Sequence, residues 1–76
     1  MIIGIMAGNF KEYKNFIDKK NLKKSVFKYL YHNEIIKELG LTGSIILGTF
    51  WQRKDSTKIF GQVQKILNKK NGKKRL

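Results

Sequence analysis

Apolar residues fall along this chain in short bursts of two kinds. Ile2-Ile3-Gly4-Ile5-Met6-Ala7 is nearly unbroken and ends at Gly8, which predicts a strand covered on both faces and so central in a sheet. Phe10, Tyr13, Phe16 and Ile17 recur at helical spacing instead, predicting a helix to about Lys20 with Lys11, Lys14 and Lys19 off its apolar face. Asn9 and Glu12 have the spacing of a capping box at its start. Aromatic and β-favouring residues surround Lys28 from Ser25 to Tyr31, which reads as an edge strand with one less protected face. Asn33 is the expected cap of a short helix over Glu34 to Leu39, Gly40 its stop, and Leu41-Thr42-Gly43 a turn. Ser44 to Phe50 reads as the third strand. Ile59, Val63, Ile66 and Leu67 then return to helical spacing, behind Asp55 or Ser56 as cap and ahead of Asn71-Gly72 as terminator.

Three strands alternating with three helices predict an α/β fold. The expected form is a small three-stranded parallel sheet in the order 2-1-3, with helices packed on it (βαβαβα) through right-handed crossovers. One compact domain is expected over residues 1–70, followed by a basic C-terminal tail over 71–76. Seventy-six residues bury a modest share of their surface, and without cysteine neither a disulfide nor a thiolate metal site is available. Association into a homo-oligomer is the remaining way to enlarge the core. Met1 to Gly8 is far shorter than the roughly 18–20 apolar residues of a membrane span and carries no positive leader, so a cytoplasmic, membrane-free protein is expected.

Charge changes the picture most. Seventeen Lys and Arg against five Asp and Glu give a formal net charge of +12, a strong attraction to polyanions and above all to nucleic acid. Only Arg53 and Arg75 among these are arginine. Lysine meets phosphate as a point charge and reads base edges less well than a guanidinium fork, so backbone contact is expected over sequence readout. The tract Lys65, Lys69, Lys70, Lys73, Lys74 and Arg75 is the candidate nucleic-acid-binding segment.

Ligands of open parallel sheets collect beyond the carboxyl ends of the strands, at helix N-termini. There the chain places Gly8 and Asn9, His32, and Thr49, Arg53 and Lys54, an expected anion- or ligand-binding corner. The glycines also have a plainer use in turns and close packing. Tyr31, Phe50 and Trp51 are candidate anchors for a protein partner, with core cover as the alternative. Chemistry is sparser. The Gly4-to-Gly8 stretch lacks the third glycine of a dinucleotide fingerprint, and no phosphate-binding G-x-x-x-x-G-K-[ST] occurs. The five acids are scattered, the histidine is single, and no nucleophile elbow is present. No enzyme activity, cofactor or metal is expected.

The stretches "IIGIMAGNFKEY" and "IILGTFWQRKD" resemble short Rossmann-like proteins encoded by bacteriophages, with an AGN turn after the first strand and a GT-aromatic-aromatic-x-RKD turn after the last. The likeness spans roughly residues 2–67. It implies a Rossmann-like domain of unassigned function in a host cytoplasm. A more distant resemblance is to nucleotide-sensing domains with an AGSR turn, where this chain has Asn9-Phe10 in place of Ser-Arg. Three functions therefore compete: a small basic accessory or regulatory protein that binds nucleic-acid phosphates, a protein-binding module or inhibitor of a host factor, and a nucleotide-binding domain.

Overall fold

A computed structural model describes residues 1–71, with the side chains of Asn33, Lys70 and Asn71 outside that description. The element order is β1 (Ile3–Met6), α1 (Phe10–Lys20), β2 (Phe27–Tyr29), α2 (Asn33–Leu39), β3 (Gly43–Ile46), a 3-10 turn (Phe50–Gln52) and α3 (Ser56–Asn71). The three strands form one sheet in the order β2-β1-β3. Both pairings are parallel, with Ile3 opposite Phe27 on one side and Gly43 on the other. This is the predicted architecture.

Two apolar clusters sandwich the sheet. Ile5, Ala7, Tyr13 and Ile17 are buried under α1, and Met6, Leu30, Ile36, Leu41, Phe50, Ile59 and Val63 under α2 and α3. Ile5 and Met6 thus face opposite layers, and this is why β1 is apolar at successive positions. The β1-to-β2 and β2-to-β3 crossovers run in opposite directions across the sheet, so right-handed connections put α1 on one face and α2 on the other, as they are here.

Boundaries moved where turns captured backbone groups. Lys23 O accepts the Val26 and Phe27 N–H groups at 3.0 Å each, so Ser25 and Val26 stay in a turn and β2 is shorter than predicted. The third strand ends at Ile46, because the Leu47 carbonyl accepts the Phe50 N–H at 3.1 Å and starts the 3-10 turn. Gly48 and Thr49 lie in the intervening turn, so Phe50 enters the core from that turn and not from a strand. His32, not Asn33, caps α2: its Nδ1 accepts the Glu34 N–H at 3.2 Å. Gly40 ends that helix at φ 67°, a left-handed conformation that glycine adopts without a Cβ penalty. Asn71, placed in the tail by the sequence, is the last residue of α3. The rest of that tail lies outside the described residues.

The free edge of β2 is partly sealed. The Tyr13 hydroxyl donates to the Phe27 carbonyl at 2.6 Å, and the Phe27 N–H is bound to Lys23 O. Burial pushes the Tyr13 phenol up from its ordinary pKa, which keeps it a neutral donor at this position.

Candidate functional site

The strand-end corner contains a carboxylate of its own. Asn9 caps α1 by accepting the Glu12 N–H at 2.9 Å, which brings the Glu12 side chain back toward β1. Its Oε1 accepts the Gly8 N–H at 2.8 Å and the Thr49 hydroxyl, tying the turn after β1 to the turn after β3. Capping-box geometry would send the carboxylate to the Asn9 N–H; here it goes one residue further and takes the donor a phosphate would have used.

Arg53 is likewise turned inward. Its Nε and Nη2 donate to the two Asp55 oxygens at 2.9 and 2.8 Å, Nη1 to the Ala7 and Leu30 carbonyls at 3.1 and 3.0 Å, and Nη2 also to Tyr31 O at 3.2 Å. All five N–H bonds of the fork therefore have protein acceptors. The side chain is 13% exposed, and the guanidinium carbon stands 5.9 Å from the ring centres of Tyr29 and Phe50. The expected anion-binding arginine is thus a clamp joining the exits of β1 and β2 to the segment that leads into α3.

Gly8, Asn9, Thr49 and Arg53 do line one hollow, of about 290 Å3, together with Gln52, which sequence reasoning did not single out. His32 and Lys54 do not line it. His32 is committed to its cap, and Lys54 is exposed in the loop. Among the described residues no three metal-ligating side chains are grouped, and no helix is long and apolar enough to cross a membrane.

These bonds set an acid limit. The Thr49 hydroxyl, then the Gly8 N–H, hold the Glu12 carboxyl below its ordinary pKa. Asp55 is held low chiefly by the Arg53 hydrogen bond, with the Arg53 charge adding to it. Both folded-state values lie below the unfolded ones, so the stability these groups confer is complete above the unfolded carboxylate range and is lost as pH falls through the lowered values. These two carboxylates should leave urea midpoints unchanged above about pH 5 and make them decline below about pH 4. Glu12→Gln should decline less steeply.

A second, larger site lies across the β2 edge. A groove of about 570 Å3 is lined by Phe10, Tyr13, Tyr29 and Tyr31, by Ile35 and Leu39 of α2, and by Lys24 and Lys28. Tyr31 was expected to meet a partner; the other aromatics and both lysines were not picked out. The signal was present in Phe10 at helical spacing from Tyr13 and in the alternation Phe27, Tyr29, Tyr31, but it reads equally as core. Phe50 is 0% exposed and belongs to the core, so it is withdrawn as a partner anchor. Trp51 is 52% exposed, its ring 5.0 Å from Phe50 and 5.2 Å from Phe60. Lys65 and Lys69 are exposed on α3, Lys70 lies on the same helix, and Lys73, Lys74 and Arg75 fall outside the described residues. No family model, curated protein or solved structure matches this chain.

Proposed function

We propose that this chain is a small basic accessory protein that binds nucleic acid through phosphate contacts. The observation that carries the reading is that its positive charge is not spent internally. The formal charge is +12, and the ion pairs among the described residues are Lys14 with Asp18 at 3.4 Å and Arg53 with Asp55 at 2.8 Å. Lys14 is thus the one lysine among them paired with an acid, which leaves the others to face solvent or a polyanion.

An anisotropy titration against labelled duplex and single-stranded oligonucleotides tests this. Affinity should fall with a log-log salt slope of about 0.9 per phosphate neutralised on duplex and about 0.7 on single strands. Replacing Lys65, Lys69, Lys70, Lys73, Lys74 and Arg75 by glutamine should weaken binding to every sequence alike. Absence of a complex with DNA and RNA at low salt would overturn the reading.

A protein partner is the second reading, favoured by Trp51, a half-exposed indole held by two neighbouring rings. The nucleotide-binding reading loses support, since Glu12 occupies the Gly8 N–H and repels phosphate at that corner.

A further inference from the structure

We infer that the groove across the β2 edge takes the bases of single-stranded nucleic acid, an assignment that rests on the polyanion reading above and names the face it uses. Its rings form a continuous row. Phe10 and Tyr31 are 54% and 58% exposed, and Tyr29 lies between them with ring centres 5.7 and 5.9 Å away. Tyr13 backs the row, stacked on Tyr29 at 5.3 Å, and its hydroxyl is fixed on the Phe27 carbonyl. The Arg53 clamp holds the Leu30 and Tyr31 carbonyls, so the end of β2 that carries these tyrosines is anchored as well.

Such a platform is organised before any ligand arrives, so little side-chain entropy is lost on binding. The wall of Ile35 and Leu39 is apolar, the cations Lys24 and Lys28 lie on the same groove, and none of the described lining residues is acidic. Single strands match the rings and the lysines together: unpaired bases present π faces to stack, and each nucleotide carries a phosphate for lysine. A duplex keeps its base faces stacked inside, and an acidic peptide would satisfy the lysines while leaving the rings without planar partners.

The test uses the full chain and a mixed-sequence single strand of about 12 nucleotides, inside the roughly 4–16-nucleotide range of such sites. Three further probes accompany it: an abasic strand of equal charge, the duplex, and an oligo-glutamate peptide. Phe10→Leu and Tyr31→Leu should each weaken binding of the base-bearing strand by about 5- to 150-fold. Binding of the abasic strand and the duplex should change by less than about twofold, while Tyr31→Phe should retain most of the single-strand affinity. Wild-type protein should prefer the base-bearing strand to the abasic one, a comparison independent of variant folding. Equal affinity for those two strands, unchanged binding by both leucine variants, or tighter binding of oligo-glutamate would overturn the groove assignment. If a steep salt slope persists in those cases, the polyanion reading stands without it.

Discussion

Arg53→Ala is expected to lower the free energy of unfolding by roughly 3–5 kcal/mol, because a guanidinium only 13% exposed gives up all five of its hydrogen bonds. The loss is not confined to the ion pair. Ala7 and Leu30 are both fully buried, and their carbonyls each lose a donor, at roughly 1–3 kcal/mol for a buried polar group left unpaired. A domain of this length has a total stability of roughly 4–11 kcal/mol, so the variant should give up a large share of it. Arg53→Lys retains a charge but has no planar fork to reach two strand exits and a carboxylate together, and it should recover less than half of the loss. Asp55→Ala, at a carboxylate 44% exposed, should cost about 1 kcal/mol. Urea unfolding followed by far-ultraviolet circular dichroism ranks the three. A wild-type midpoint for Arg53→Ala would show that the clamp does not hold the strand exits together.

Gly8→Ala should be the next most damaging exchange, at roughly 2–3 kcal/mol, near the top of the usual cost of overpacking. A methyl group there would overlap Thr49 Oγ1 and lie 2.8 Å from the Thr49 carbonyl oxygen. Turning the Thr49 side chain relieves the first contact only by giving up its bond to Glu12, and the carbonyl contact needs backbone movement. The double variant Gly8→Ala with Thr49→Ala should therefore regain part of the loss but not all of it. Thermal unfolding of the two singles and the double measures the coupling, and a Gly8→Ala midpoint equal to wild type would show that the two turns are not pressed together.

Local patterns made the architecture legible. An apolar run between two amphipathic segments places β1 centrally, and Asn9, Gly40 and the Ile59-to-Leu67 spacing mark helix boundaries that the fold uses. Where the third strand stops was not legible, since Ile45 to Phe50 contains no charged residue and only the Leu47–Phe50 turn bond separates strand from turn. The corner shows a different limit. Gly8, Asn9, Thr49 and Arg53 do converge, as parallel strands require, yet their role depends on contacts between residues 37 and 46 positions apart. The capping-box spacing turns the Glu12 carboxylate back toward the helix start, but nothing local ties it to Thr49 or sends Arg53 to the Ala7 and Leu30 carbonyls. The aromatic groove was obscured for a related reason: Phe10 and Tyr13 share a helical stripe, but one is half exposed and the other buried.

The bond from Tyr13 to the Phe27 carbonyl has a consequence for crowding. A polyanion gathers many copies of a cationic protein along one thread, where bare sheet margins would meet and zip into larger ribbons. Here an incoming chain finds both Phe27 peptide groups already engaged, so neighbours lined up along a shared strand meet a shorter template for pairing at this margin.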